Sequence, residues 1–111
     1  MNKKFTFHKD TKLEPFSEGA TRRILAHSKT IMAVEITFKT GAAVPTHAHP
    51  HEQITYIISG AFSFENGGET KVVRAGDSVL FAPNVVHGAA CVEGGKLLDV
   101  FTPCREDFLK G

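Results

Sequence analysis

Three of the six histidines have the types and spacing of metal ligands. His47 and His49 form a His-x-His pair, and His87 lies in a second segment that begins at Gly76. Imidazole is the commonest protein ligand for borderline transition metals. Side chains two residues apart on a strand point to the same face, so the pair can share one ion. We therefore predict a site for one divalent transition metal.

Gln53 is the predicted fourth ligand, and it constrains the path of the chain. Six residues of extended chain separate His47 from Gln53 and would span ~20 Å. The ligands of one ion each lie only ~2 Å from it. The chain must therefore turn between His49 and Gln53, and Pro50 lies where that bend is needed.

His87 must reach the same ion from another strand. Asn84 precedes it by three residues and is a residue type that tolerates a positive φ. We predict that Pro83-Asn84 forms a turn that directs His87 inward.

The other histidines lack such a context. We expect His51 to be a loop histidine or to lie behind the ligands, and Glu52 to be exposed or to support them. His8 and His27 are predicted at the surface.

Short runs rich in β-branched and aromatic residues must position these side chains. They predict strands at 24–26, 30–38, 54–58, 62–65, 70–74, 79–81, 89–92 and 96–101. Turn residues every 8–12 positions indicate an all-β sandwich or barrel. Asn66-Gly67-Gly68 and Glu93-Gly94-Gly95 predict hairpins, and only 105–110 is expected to form a helical turn.

Size and charge exclude several classes of protein. With 111 residues we expect a single domain over 1–111, with a barrel core at about 20–104. The net charge is +1 and the basic residues are scattered, which argues against a nucleic-acid or membrane-surface partner. No leader sequence or ~20-residue apolar run is evident, so we expect a cytoplasmic protein.

The two cysteines, Cys91 and Cys104, lack metal-ligand spacing. We expect them to be buried thiols in a reducing compartment. A single bridge between them stays an open alternative.

The first histidine segment resembles the first cupin motif, Gly-x5-His-x-His-x3,4-Glu-x6-Gly. Gly41, His47, His49 and Gly60 match, and Gln53 stands in the place of the Glu.

The second segment resembles the second motif, Gly-x5-Pro-x-Gly-x2-His-x3-Asn. Gly76 and His87 match, and the departures are not metal ligands: Ala82, Asn84 and Cys91. The resemblance implies a single-domain cupin, which is an all-β jelly-roll barrel (a double-stranded β-helix).

The glutamine changes the charge of the predicted site. Three neutral imidazoles and a neutral amide leave the 2+ charge of the ion uncompensated. We expect a stronger Lewis acid that attracts anionic substrates. A neutral shell also supports a trivalent state less well, which disfavours an iron oxygenase. The ligand types suit Ni, Zn, Fe, Co or Mn.

From about residue 22 to 109 the chain resembles the pectin-degradation cupins of the KdgF type. The segments that carry the likeness are 49–56, 83–88 and 97–109. Such cupins convert 4,5-unsaturated monouronates, released from pectin or alginate by lyases, into linear keto forms. The resemblance implies a cytoplasmic uronate-processing enzyme. Cupins commonly form dimers through sheet packing, and the resemblance to cupins implies a homodimer, which we expect to use the N-terminal strand and Phe5 or Phe7.

Three residues near the C-terminus are the predicted catalytic group. Asp99 shares a strand face with apolar neighbours, so it is either an acid/base carboxylate in the cavity, an exposed edge residue or a structural hydrogen-bond partner. Phe101 either shapes the pocket or fills the core. Arg105 either binds a uronate carboxylate or pairs with Glu106 or Asp107. The resemblance places Asp99, Phe101 and Arg105 at active-site positions.

Other functions use the same fold and stay open. One is a non-catalytic sugar- or acid-binding sensor, although no DNA-binding helix-turn-helix is evident. Another is a dioxygenase or isomerase acting on a different small molecule. A storage cupin is disfavoured by the intact ligand set.

Overall fold

The computed structural model describes residues 3–110, which form eight β-strands and two short 3-10 helices. The predicted all-β class is confirmed. The helices are His8–Asp10 and Glu106–Leu109, the second lying within the predicted C-terminal turn. The strands are β1 (Glu14–Ser17), β2 (Ala20–His27), β3 (Met32–Phe38), β4 (Ala43–His47), β5 (Glu52–Asn66), β6 (Glu69–Arg74), β7 (Ser78–Phe81) and β8 (His87–Thr102).

All strand pairs are antiparallel, and β5 and β8 are central to the sheet. The main order is β1-β2-β3-β8-β5-β6, while β4 pairs with β8 and β7 with β5. Side chains alternate between the core and the outside, as along β3, where Val34 and Ile36 are buried and Thr37 is exposed. This alternation fixes which residues of β5 and β8 can reach the interior.

The predicted strand ends near Gly60 and Gly95 are wrong, because β5 and β8 each continue through the glycines as one long strand. Their mutual register shifts between Ile57 and Phe62, which marks an irregular, bulged stretch. Gly60 has a φ of +82°, and a Cβ there would lie 2.5 Å from the carbonyl oxygen of Glu93. These glycines therefore permit a close approach of two strands and not a hairpin turn.

Each long strand changes partners at this irregular stretch. The first part of β5 pairs with β7 and the second part with β6. The first part of β8 pairs with β4 and the second part with β3. The bend thus carries both strands from one part of the barrel to the other. The other predicted hairpin, at Asn66-Gly67-Gly68, is confirmed by the pairing of β5 with β6.

The core is rich in phenylalanine. Phe62 and Phe81 are fully buried, and Phe62 contacts Phe38 edge-on with ring centroids 5.3 Å apart. Burying such a side chain contributes ~1.5–3 kcal/mol. Cys91 and Cys104 are both buried and free, so the bridge left open by the sequence is not formed.

Two further observations concern the chain as a whole. Within residues 3–110, no helix has the length and apolar character needed to cross a membrane. The expected single domain over 1–111 stays a prediction, and its first two residues and its last lie outside the described part of the chain.

Candidate metal centre

Three histidine rings meet at one end of the barrel. His47 ends β4 and His87 begins β8, and the two are register partners, which places their rings 4.4 Å apart between centroids. His49 lies two residues beyond β4, and its ring centroid is 4.8 Å from that of His87. The possible ligand atoms of all three lie within 4.8 Å of one another. The predicted convergence of these residues is therefore present.

The two predicted turns position this cluster. The chain bends at Pro50, so that β5 begins at Glu52 and returns past the histidines. Asn84 has the positive φ, 66°, that its residue type tolerates. Its N–H donates to the carbonyl oxygen of His49 at 2.8 Å, which ties the two turns together.

Backbone carbonyl groups fix the orientation of all three rings. A carbonyl oxygen only accepts, so each Nδ1 must carry a hydrogen and each neutral ring keeps its lone pair on Nε2. This is the arrangement in which a histidine binds a metal through Nε2. The Nδ1–carbonyl pairs, each at 3.0 Å, are His47–Pro45, His49–His51 and His87–Val85.

Gln53 completes the set, and its oxygen faces the histidines. Its Oε1 lies 3.0 Å from Nε2 of His49, while its Nε2 donates to Thr55 and Asp99. Since Nε2 of a neutral His49 bears a lone pair, two acceptors face each other, and a cation between them would satisfy both. Ligands ~2.1 Å from one ion and ~90° apart lie ~3.0 Å from each other. The donor set therefore fits a divalent ion.

The environment keeps the two buried rings neutral. Burial lowers the pKa of His49 and of His87, and the positive charge of Arg105 acts in the same direction. The amide oxygen of Gln53 beside His49 and the carbonyl of Val85 beside His87 favour the charged rings, but they do not cancel this lowering of the pKa. Neutral imidazoles are the form that binds metals.

Asp99 points into the barrel beside this group. It lies on the central strand β8, so the alternative that Asp99 is an exposed edge residue is wrong. The hydrogen bonds expected of a structural partner are present. Its Oδ1 accepts from Oγ1 of Thr55 at 2.6 Å and from Nε2 of Gln53 at 3.2 Å. Burial raises the pKa of Asp99 to about 6, against the opposing effect of these hydrogen bonds and of Arg105.

Sequence reasoning missed Thr55, a fully buried residue that joins Gln53 to Asp99. Its position held a usable signal. Thr55 follows Gln53 by two residues on a predicted strand, so both side chains must point to the same face. A buried hydroxyl next to a proposed ligand needs a hydrogen-bond partner there.

Arg105 is held by stacking and by an ion pair. Its guanidinium lies 4.3 Å from the ring centre of Phe108 and 5.2 Å from that of Phe101. Its Nε and Nη2 donate to Asp107 at 3.0 and 2.8 Å, so the predicted alternative of an ion pair is realised. The hydrogen bond from Arg105 holds the pKa of Asp107 below its usual range. Nη1 has no hydrogen-bond partner among residues 3–110 and stays free for a ligand.

Most of these groups line one cavity. Much of its remaining lining is apolar and includes Phe38, Leu97 and Phe108. An apolar pocket with a few convergent polar groups is the usual form of a small-molecule site. Six of the seven predicted site residues line the cavity, and His49 does not: the six are His47, Gln53, His87, Asp99, Phe101 and Arg105.

The remaining histidines lie outside this group. His51 is partly buried, packs edge-on against His49 and donates from Nε2 to the carbonyl oxygen of Cys104 at 3.2 Å. His51 therefore lies behind the predicted ligand His49, which was one of the two positions expected for it. His8 is exposed and bonds Glu35 at 3.0 Å, and His27 and Glu52 are exposed.

Comparison with known proteins identifies the family of the chain. The family model described as "Cupin domain" matches residues 34–101. The pectin degradation protein KdgF of Dickeya dadantii is 35% identical over 102 residues, which cover 90% of this chain and 93% of that protein.

Solved structures extend the comparison. An RmlC-like cupin from Shewanella frigidimarina is 42% identical, with a TM-score of 0.92 over 96% of both chains. KdgF from Halomonas sp. is 32% identical, with a TM-score of 0.89 over 96% of this chain and 98% of that one. The predicted jelly-roll barrel is thereby confirmed.

Proposed function

The chain belongs to the cupin family, and on that premise we propose that it is a metal-dependent enzyme that converts 4,5-unsaturated uronates into linear keto sugar acids. The observation that carries the proposal is one cavity that joins a neutral ligand set, a free edge of Arg105 and the carboxylate of Asp99. The likeness to a pectin degradation protein points to sugar acids as the substrate class.

We assign one divalent transition metal to His47, His49, Gln53 and His87, with Ni, Zn, Fe, Co and Mn as the candidates. Three Nε2 lone pairs and the amide oxygen of Gln53 support this assignment. When bound, such an ion supplies Lewis acidity, and its neutral ligands leave its charge available to an anionic substrate.

Arg105 is the proposed anchor for the substrate carboxylate. Its free Nη1 and the outer hydrogen of Nη2 form an edge that matches the two carboxylate oxygens. Asp107 holds the adjacent Nε–Nη2 edge, which keeps the guanidinium from rotating away. Phe101 and Phe108 support the guanidinium, and we assign Phe101 to shaping the pocket.

Asp99 is the proposed acid/base residue. Its Oδ1 accepts the hydrogen bonds from Thr55 and Gln53, and Oδ2 has no partner among residues 3–110. The hemiacetal hydroxyl of the sugar loses its proton to Asp99 as the bond between the anomeric carbon and the ring oxygen breaks, which leaves an aldehyde and an enolate. Asp99 then returns the proton to the carbon of the enolate, which gives the ketone. Substrate and product are isomers, so no redox cofactor is needed.

Turnover of 4,5-unsaturated galacturonate tests this function, since its ultraviolet enol-ether absorbance disappears on conversion. Metal-loaded, chelated and Asp99→Asn proteins are compared with the spontaneous rate. Fast loss that requires both the metal and Asp99 supports the proposal. A rate no faster than the spontaneous one, in protein shown to contain metal, would favour the sensor, and oxygen consumption by iron-loaded protein would favour the dioxygenase.

We further propose a homodimer in the cytoplasm. Phe5 and Phe7 are 75% and 60% exposed, and their rings stack with centroids 6.5 Å apart, so they present apolar surface that a second copy would cover. Light scattering of the wild type and of Phe5→Ser/Phe7→Ser tests the dimer, and cell fractionation tests the location. A wild-type mass near 12.1 kDa would refute the dimer.

A further inference from the structure

The amide of Gln53 has two different ends, and only its oxygen can bind a metal. Which end faces the histidines depends on what lies around the other end. The nitrogen is 2.9 Å from Oγ1 of Thr55 and 3.2 Å from Oδ1 of Asp99. All three side chains are buried, so water does not compete freely for these groups. The amide orientation is therefore set by Thr55 and Asp99.

The direction of the hydrogen bonds follows from the chemistry of the carboxylate. Asp99 accepts the 2.6 Å hydrogen bond, so the hydroxyl of Thr55 must be its donor. That hydroxyl has one hydrogen, and its oxygen can then only accept from position 53. Both neighbours of position 53 thus require a donor. A glutamine supplies one, whereas an ionised glutamate would face two acceptors.

The strand register makes this arrangement rigid. Thr55 and Asp99 are direct cross-strand partners of β5 and β8. Gln53 precedes Thr55 by two residues, so the alternation of side chains places it on the same inner face. The pair therefore cannot move relative to Gln53 without a shift of a central strand.

We propose that Thr55 and Asp99 select an amide at position 53 and hold its oxygen toward the three histidines. Thr55 is then a positioning residue of the metal centre, and the Gln in place of the motif's Glu is matched to Asp99. The selection of an amide depends only on the hydrogen bonds. The effect on metal binding rests on the metal site of the proposed function.

Urea unfolding of the metal-free protein tests the selection. The variants are Gln53→Glu, Asp99→Asn and the double variant, which exchanges the amide and the carboxylate. Gln53→Glu should lower the unfolding midpoint because buried acceptors then lack donors. The double variant should recover most of that loss, since the amide introduced at position 99 supplies an N–H to the carboxylate introduced at position 53. Additive effects of the two single changes would overturn the proposal.

Competition between the protein and a chelator for Zn²⁺ tests the positioning role. Thr55→Val keeps the shape but removes the hydroxyl, and Zn²⁺ should bind about 10-fold more weakly, the lower end of the usual loss when a ligand's supporting partner is removed. Thr55→Ser should restore the affinity. Thr37→Val makes the same change on an exposed residue of β3 and should leave it unchanged. Equal Zn²⁺ affinity in Thr55→Val and wild type would overturn this role.

The two measurements separate this proposal from the function. The effects of Gln53→Glu and Asp99→Asn on unfolding could prove non-additive in a protein that binds no divalent metal. That result would support the selection of an amide and overturn both the metal site and the positioning role. The two substitutions could instead have additive effects on unfolding in a protein that binds Zn²⁺ and turns over the uronate. That result would overturn the selection of an amide and leave the proposed function intact.

Discussion

Replacing Arg105 by lysine tests whether this residue anchors the substrate through a planar fork or only through its charge. The guanidinium lies 4.3 Å from the ring centre of Phe108, and the Arg105 side chain is only 14% exposed, so the guanidinium plane is held in the cavity wall. Lysine keeps the positive charge. It cannot offer two parallel donors in that plane or stack in the same way.

The expected loss can be worked from the hydrogen bonds. A uronate carboxylate on the free edge of Arg105 accepts two charge-assisted hydrogen bonds, and lysine retains one. A hydrogen bond to a charged group contributes ~1.5–3 kcal/mol. Since ~1.4 kcal/mol corresponds to a factor of ten, KM should rise about 10–100-fold. If Arg105 binds the ground state and the transition state equally, kcat should change little.

Arg22→Lys is the matched control. Its guanidinium lies 4.2 Å from the centre of the same Phe108 ring and pairs with Glu14 at 2.8 Å, but it does not line the cavity. Steady-state kinetics on 4,5-unsaturated galacturonate should show the KM effect for Arg105→Lys alone. A KM within twofold of wild type for Arg105→Lys, or equal effects of the two substitutions, would refute the anchoring argument.

Three further outcomes follow from the structure. Phe62→Ala should lower the free energy of unfolding, measured in urea, by about 3–5 kcal/mol, because it leaves a cavity at a fully buried site. A loss below about 1 kcal/mol would contradict the packing of Phe62 in the core. Burial opposes the ionisation of Glu35, but the hydrogen bond with His8 and the charge of Lys96 outweigh it and lower the pKa below the ordinary 4.5. The stability that the ionised Glu35 contributes is fully present above pH 4.5 and is lost as the pH falls through the lower pKa of the folded state. Glu35→Gln should therefore reduce the fall in the free energy of unfolding at acid pH. An unchanged fall in this variant would contradict the reasoning. Free metal at a concentration 100 times its Kd adds ~2.7 kcal/mol of stability. A chelator should therefore lower the Tm of the wild type but not that of His87→Ala. Equal shifts in the two proteins would place the metal elsewhere.

Local chemistry explains why the candidate site could be predicted from the sequence. The imidazole types, the His-x-His spacing and the bend at Pro50 all follow from ligand distance and the alternation of strand side chains. The positive φ of Asn84 follows from the tolerance of its residue type. None of these inferences needed knowledge of which strands pair.

The predicted strand end at Gly94-Gly95 is wrong for the opposite reason. Gly94-Gly95 has the composition of a hairpin turn, and so does Gly67-Gly68. Only the second forms one. At the first, the pairing of β8 with β5 continues past the glycines, and the missing Cβ of Gly95 allows a close approach to β5. Composition cannot separate these cases, because the deciding contacts come from distant residues.

The sequence by itself determined which residues are candidates for the chemistry, since ligand type, spacing and strand period are local properties. Only the tertiary structure decided how those residues combine. The β5–β8 register joins Asp99 to Thr55 and Gln53, and the C-terminal 3-10 helix brings Asp107 and Phe108 to Arg105. Asp99 therefore has hydrogen-bond partners while lining the cavity, and Arg105 has an ion pair while keeping one edge free. Such combinations depend on the directions of side chains from distant strands, which no local pattern specifies.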